Sequence, residues 1–257
     1  MLVVDCRFSL LEPKLGQQQY LQGHIPGAAY LNIDRDLSAP RAKHGGRHPL
    51  PETAQLAATL RALGVNSGPQ ATLVVAYDDS RLGFAARLWW LLRYLGHQAV
   101  QVLDGGYTGW VEAGFASSNT LPSPQSGNFQ PRLQAHRQVD VDGVQALVEQ
   151  GAVLVDAREA QRYRAEKEPI DPVAGHIPGA VNSPWTELTD ERSYVLSIES
   201  QRQRWLQHEG RVVVSYCGSG VTACVNLLSL ALIGRDDAVL YPGSWSDWCS
   251  RPELPIA

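Results

Sequence analysis

Long apolar runs are missing from this chain. No stretch of eighteen apolar residues occurs, so nothing in it reads as a membrane span. Basic runs are missing too, and the net charge over 257 residues is −4. No nucleic-acid partner is therefore expected, although a small anion would need only a local cationic pocket. Cysteine is scarce: Cys6, Cys217, Cys224 and Cys249 are scattered and never form a C-x-x-C pair. That argues against a zinc site and for a reducing, cytoplasmic home. The opening Met-Leu-Val-Val-Asp-Cys-Arg lacks a basic region followed by a long apolar run, so no secretion signal is expected. No motif asks for a cofactor or a metal.

What is present is an ordinary globular composition, 44% hydrophobic and 19% charged, in a chain long enough for two domains. Self-comparison shows where they lie. Val4-Asp5-Cys6-Arg7 recurs as Val155-Asp156-Ala157-Arg158, and Gly23-His24-Ile25-Pro26-Gly27-Ala28 as Gly175-His176-Ile177-Pro178-Gly179-Ala180. Leu73–Asp78 matches Val212–Cys217, and Asp104-Gly105-Gly106-Tyr107 matches Pro242-Gly243-Ser244-Trp245. The blocks keep their order at offsets of 151, 152, 139 and 138, which marks a duplicated domain. The expected division is a first domain over 1–115, a Ser-, Pro- and Gly-rich linker over 116–131, and a second domain over 132–257. The second half carries a strand-and-helix lead-in, Gln138 to Gly151, that the first half lacks. Either the first domain has no such element or the sequence begins late.

Each half alternates short apolar strands with helical segments, which predicts an α/β fold with a mainly parallel sheet flanked by helices. Strands are expected at Leu2–Asp5, Leu73–Tyr77, Ala99–Leu103, Val153–Asp156, Val212–Tyr216 and Ala238–Tyr241. Helices are expected over 51–63, 83–95, 107–113, 141–149, 198–206 and 221–233.

The chemistry concentrates where the strand Val212–Tyr216 stops at Cys217, followed by Gly218-Ser219-Gly220 and a long apolar helix. A sulfur between a strand end and a helix N-terminus meets N–H donors and the positive end of the helix dipole, which favour its thiolate. A buried apolar cysteine would not need glycines around it. The other half serves as a control. His24 and His176 are shared, so both read as turn and packing residues. Arg7 and Arg158 are shared and should pair with scaffold carboxylates. Asp78 stands where Cys217 stands, so the first half should be catalytically silent. Arg162 has Leu11 as its counterpart, and presents either a solvated arginine or a guanidinium to an anionic substrate. The insert 35–51, with Arg41, Lys43, His44, Arg47 and His48, reads either as a solvated loop or as an arm into the other domain's site.

These duplicated Gly-His-Ile-Pro-Gly halves, with a silent first domain and a cysteine loop in the second, resemble the two-domain rhodaneses, which are sulfurtransferases. The loop Cys217-Gly218-Ser219-Gly220-Val221-Thr222-Ala223 is similar to the 3-mercaptopyruvate sulfurtransferase branch; thiosulfate-using members typically carry basic residues after the cysteine. The resemblance implies tandem rhodanese-like domains and a Cys217 persulfide. It also implies a Ser219, His48 and Asp34 arrangement, with His44 as the rival histidine. Arg162 falls on a carboxylate-binding arginine, and Gly218, Gly220, Val221 and Thr222 on the loop that holds the substrate. Ile170 stands where that branch has a second arginine. The implied partners are a small anionic sulfur donor and a thiol acceptor, such as a thioredoxin or a low-molecular-weight thiol. Mercaptopyruvate is the favoured donor, because the loop offers a hydroxyl but only N–H dipoles beside the sulfur. Thiosulfate is the alternative.

Two other chemistries compete. A cysteine-dependent phosphatase needs an arginine six residues after the nucleophile, where this chain has Ala223. A redox module would pair Cys217 with Cys224, which is expected two turns into the helix and away from it.

Overall fold

The computed structural model describes residues 1–257. Alternating strands and helices build the first unit: β1 (Leu2–Asp5), α1 (Leu15–Gln22), β2 (Ala29–Tyr30), α2 (Thr53–Ala62), β3 (Val74–Tyr77), α3 (Ala85–Tyr94), β4 (Val100–Val102) and α4 (Gly106–Glu112). Its sheet has the order β2-β1-β3-β4, and every pairing is parallel. Parallel strands need crossovers, and the helices between them supply these. The second unit repeats the plan with α5 (Val141–Glu149), β5 (Val153–Asp156), α6 (Ala160–Tyr163), β6 (Val181–Asn182), α7 (Ile198–Trp205), β7 (Val213–Tyr216), α8 (Ala223–Leu232), β8 (Val239–Leu240) and α9 (Ser244–Trp248). Its sheet order, β6-β5-β7-β8, is again wholly parallel. All six expected strands and six expected helices form, with ends shifted by up to two residues. The unexpected elements are α1, α6, α9 and the two-residue strands β2 and β6. Most of these are too short to show a hydrophobic period.

Burial explains the strand sequences. All four residues of β5 and of β7 are buried, as a parallel sheet covered on both faces requires. In α8 the residues from Ala223 to Leu230 are buried on every side. The core of this unit joins Val144, Leu154, Ile177, Val214, Tyr216, Trp245 and Trp248, each large side chain stabilising by roughly 1.5–3 kcal/mol. Helix α5 begins at a capped end: Asp140 Oδ1 accepts from the Gly143 N–H at 2.9 Å. The strand of the expected lead-in reduces to one parallel bridge, Gln138 to Leu240.

The units do not follow the sequence halves strictly. Residues 40–49 belong to the second unit, and residues 191–195 to the first. The segment 116–131, expected as a linker, forms no helix or strand and is tied to the first unit. There Ser118 bridges His24, the Gly127 N–H donates to Arg61 O at 2.8 Å, and Phe129 is 1% exposed.

The shared residues are scaffold. Arg7 Nη2 lies 2.6 Å from Asp5 Oδ2, and Arg158 Nη2 lies 2.6 Å from Asp156 Oδ2, all four side chains being buried. Each arginine also donates to the carbonyl of the glycine that opens the Gly-His-Ile-Pro-Gly turn. His24 and His176 stack on Tyr20 and Tyr163 at 4.1 and 3.9 Å, and each Nδ1 meets the carbonyl of that tyrosine.

Candidate active site

Cys217 follows β7 directly and is 2% exposed. Its carbonyl accepts from the Trp245 N–H at 3.0 Å, and the next carbonyl, Gly218 O, accepts from Ser246 N–H at 3.0 Å, so α9 clamps the start of the loop. The Cys217 N–H donates to Ser244 Oγ at 3.1 Å, and that hydroxyl donates to Tyr241 O at 2.9 Å. Ser244 is a residue the sequence reading passed over. It sits at φ +55°, where its first-half counterpart is Gly106 at φ +56°. Serine in the left-handed region carries strain, and here it supplies the hydroxyl that fixes Cys217. The signal was the unmatched serine in an otherwise matched block.

Further along the loop, Gly220 has φ +75°, and a Cβ there would lie 2.4 Å from Pro242 O. Only glycine fits, in backbone angle and in space. Val221 is buried and Thr222 half-buried; their carbonyls accept from Cys224 and Val225 N–H as α8 begins. The backbone N–H groups of Gly218, Ser219, Val221 and Thr222 donate no hydrogen bond within the protein. The first-half loop is the opposite. Asp78 accepts from the N–H groups of Ser80, Leu82, Phe84 and Ala85 at 2.8 to 3.0 Å, so its own carboxylate fills the cradle. Burial pushes the Asp78 carboxyl up, and those N–H groups pull it down.

Ser219 Oγ lies 2.7 Å from His48 Nδ1, and the two residues are 5% and 1% exposed. His44 Nδ1 instead meets Ser250 Oγ at 2.9 Å. The segment 40–49 is pinned beside α9: the Gly45 N–H donates to Asp247 Oδ1 at 2.8 Å and the Arg47 N–H to Ser246 Oγ at 3.0 Å. Gly46, at φ +83°, passes so close that a Cβ would stand 2.4 Å from Gly243 O. Of the two readings of the insert, these residues take the second. Asp34 belongs to the first unit, in the turn after β2, where its N–H donates to Asn32 Oδ1 at 2.9 Å.

Arg162, the last-turn basic residue of α6, donates to Glu168 through Nε at 3.1 Å and Nη2 at 2.9 Å, and to Asp171 Oδ2 at 3.2 Å. Arg47 Nη1 pairs with the other oxygen of Asp171. A Cβ on Gly218 would lie 2.8 Å from Arg47 Nη2 and 3.3 and 3.4 Å from the Arg162 Nη atoms. The expectation that a donor meets only N–H dipoles beside Cys217 is therefore corrected. The loop itself holds no cation, but folding brings two guanidiniums onto it. Burial pushes the Glu168 carboxyl up, but the Asp171 and Ile170 N–H groups and Arg162 outweigh it and hold it below the usual range. Ile170 is exposed and contributes only that N–H, at 3.0 Å. Cys224 also differs from expectation: it lies in the first turn of α8, buried, with its Sγ donating to Gly220 O at 3.4 Å. The helix starts later than its apolar run suggests, because residues 217–222 are spent on the loop.

The rhodanese-like domain model matches twice, over residues 1–113 and 140–251. A Pseudomonas aeruginosa protein provisionally named a 3-mercaptopyruvate sulfurtransferase is 47% identical over 100% of this chain and 92% of its own. A Mycobacterium tuberculosis protein with a provisional thiosulfate sulfurtransferase name is 41% identical over 99% of this chain and 89% of its own. The crystal structure of Escherichia coli SseA, described as a 3-mercaptopyruvate sulfotransferase, superposes with a TM-score of 0.79 at 35% identity, covering 95% of this chain and 92% of that one. With two matched domains and full-length relatives at this identity, the chain belongs to the rhodanese family, as a tandem-domain sulfurtransferase of the 3-mercaptopyruvate branch.

Proposed function

We propose that the donor is 3-mercaptopyruvate and that Cys217 carries the sulfur. The Cys217 thiolate attacks the donor's sulfur and the carbon–sulfur bond breaks. Its electron pair moves onto the carbon as the enolate of pyruvate, and Cys217 becomes a persulfide. Ser219, hydrogen-bonded to His48, delivers the proton that turns the enolate into pyruvate. A thiol acceptor, a thioredoxin or a low-molecular-weight thiol, then attacks the outer sulfur as its thiolate. The new persulfide leaves with that sulfur, and Cys217 returns as a thiolate. The open N–H groups of Gly218, Ser219, Val221 and Thr222 hold the anionic sulfur species between the two steps.

The observation that carries the donor choice is the buried Ser219–His48 pair at 2.7 Å. An enolate carbon needs a proton, whereas the sulfite leaving from thiosulfate does not. The place of Asp34 in this arrangement rests on the motif alone, and unchanged transfer in Asp34→Asn would remove it. Four free cysteines suit the reducing cytoplasm proposed as the site of action, and no helix is long and apolar enough to cross a membrane.

The decisive measurement compares kcat/KM for mercaptopyruvate and thiosulfate, with whole-protein mass after each donor. A gain of one sulfur, removed by cyanide or dithiothreitol and absent in Cys217→Ser, is the expected result. A higher kcat/KM for thiosulfate would overturn the donor assignment and leave the persulfide standing.

A further inference from the structure

The groups that share the chemistry come from stretches far apart in sequence: Cys217 and Ser219 on the loop after β7, His48 on the segment 40–49. Both stretches belong to the second unit, and both are pinned to α9 and the turn before it. On one side the Trp245 and Ser246 N–H groups donate to Cys217 O and Gly218 O, each at 3.0 Å. On the other, the Gly45 N–H donates to Asp247 Oδ1 at 2.8 Å and the Arg47 N–H to Ser246 Oγ at 3.0 Å. His44 Nδ1 meets Ser250 Oγ, which itself donates to Asp247 O at 2.6 Å. The turn is gripped twice over. A Cβ on Gly220 would stand 2.4 Å from Pro242 O, and one on Gly46 would stand 2.4 Å from Gly243 O.

Of these pins, Asp247 is the one built in advance. Its side chain is 5% exposed, Tyr241 Oη donates to its Oδ2 at 2.6 Å, and Arg251 Nη2 lies 3.2 Å from its Oδ1. It packs on the bare face of Gly243, where a Cβ would stand 2.6 Å from Oδ2. Oδ1 is therefore fixed by its own element, and the Gly45 N–H takes a set place three residues ahead of His48. A carboxylate acceptor shielded from water holds an N–H more firmly than a neutral one. The repeat again serves as a control. By its offset of 138 the counterpart of Asp247 is Gly109, which has no side chain to pin anything. The scaffold pairs Arg7–Asp5 and Arg158–Asp156 occur in both halves, whereas this carboxylate stands only beside the reactive loop.

We propose that Asp247 is a positioning residue for the reaction: by holding Gly45 it sets the place of His48, and through His48 the orientation of Ser219, without touching the donor. This rests on the sulfurtransferase reading, in which the Ser219–His48 pair delivers a proton. The pair is 2.7 Å apart, so a shift of the segment by about an ångström takes it out of hydrogen-bond range. Helix α9 is then the common reference for nucleophile and proton donor. It holds Cys217 through backbone groups and His48 through Asp247, with Ser246 as the second pin.

Two readouts test it, and the first needs no turnover. Diethyl pyrocarbonate acylates accessible histidines, and peptide mass locates the modified residue. His48 is 1% exposed and should be protected in the wild type. In Asp247→Ala it should react roughly 10- to 100-fold faster, the shift in local opening for loss of one hydrogen bond to a charged group. His208, 6% exposed in the same unit, should stay protected and controls for unfolding. In steady state, kcat with mercaptopyruvate should fall by roughly 10- to 100-fold, as for a catalytic group misplaced by an ångström. Alkylation of Cys217 by iodoacetamide should keep the wild-type rate. Asp247→Asn, whose amide oxygen still accepts from Gly45, should restore His48 protection and most of kcat. Should Asp247→Ala not fold, Ser246→Ala keeps the Tyr241 partner in place and should show the same two effects, several-fold in size. Unchanged protection of His48, an unchanged kcat, a parallel loss of Cys217 alkylation or an equal loss in Asp247→Asn would each overturn the proposal. If the wild type takes no sulfur from mercaptopyruvate, the donor reading fails. Modification of His48 then still decides whether Asp247 places it.

Discussion

At the scale of single residues, four cysteines share one chain, and Cys217 opens a Gly-rich loop in which four N–H groups stay open. Cys217→Ser should abolish sulfur transfer and keep the fold, read as loss of the one-sulfur mass gain and an unchanged melting curve. Cys6→Ser, Cys224→Ser and Cys249→Ser should each keep a substantial fraction of turnover. Cys6 and Cys224 are buried, and burial pushes the Cys249 thiol up to about 11, away from the reactive range. Glu168 gives a pH prediction. Its folded carboxyl lies below the ordinary value, so its stabilising share is full above about 4.3 and is lost as pH falls through the depressed value. Glu168→Gln should therefore be less stable than the wild type at neutral pH. The gap should close as acid is added, and a gap that stays constant with pH would contradict the assignment.

The two strand–loop–helix elements compare one design used twice. From β7 to α8 the loop runs six residues, Cys217 to Thr222; from β3 to α3 it runs seven, Asp78 to Phe84. The longer loop wraps a carboxylate with four N–H groups, bending Arg81 and Leu82 to φ +56° and +66°. Asp78→Ala should leave those donors buried without a partner and lower stability by a few kcal/mol, at about 1–3 kcal/mol for each donor that water does not reach. Sulfur transfer at Cys217 should change far less than with any substitution of Cys217 itself. A loss of transfer in a folded Asp78→Ala protein would show that the first half contributes to the chemistry. On α9, Ser244→Ala should cost about 1–3 kcal/mol through the Cys217 N–H it strands. A lower kcat would show that the hydroxyl positions the nucleophile.

Across the whole molecule, the duplication makes a prediction that one half checks against the other. Arg7 and Arg158 hold the same buried carboxylate and the same turn carbonyl in their own units. Removing either guanidinium leaves a buried aspartate unpaired, so Arg7→Leu and Arg158→Leu should each cost about 3–5 kcal/mol. Only Arg158 also reaches Glu168, at 3.3 Å, and through it Arg162. Arg158→Leu alone should then raise KM for the donor under conditions where both variants remain folded. Equal effects on KM would break the link between scaffold and site.

The sequence by itself determined the duplicated α/β plan, and it marked Cys217 as the candidate nucleophile with Asp78 as its counterpart in the first loop. These live in short windows: apolar runs of four or five residues, a Gly-rich turn after a strand, and an aspartate aligned with a cysteine. Local patterning dictates local structure, and a repeat supplies its own control. Tertiary structure alone decided which histidine meets Ser219, 171 positions away, and that Arg47 meets Asp171, 124 positions away. No local pattern marks such pairs, because a polar loop looks the same in sequence whether water or a distant carboxylate satisfies it. The choice of His48 over His44 came from the path of residues 40–49, fixed by the Gly45 and Arg47 N–H groups donating to Asp247 and Ser246 and by Gly46 against Gly243. Arg47 stood in an insert that reads in sequence either as a solvated loop or as an arm, and only folding brings its guanidinium beside Gly218.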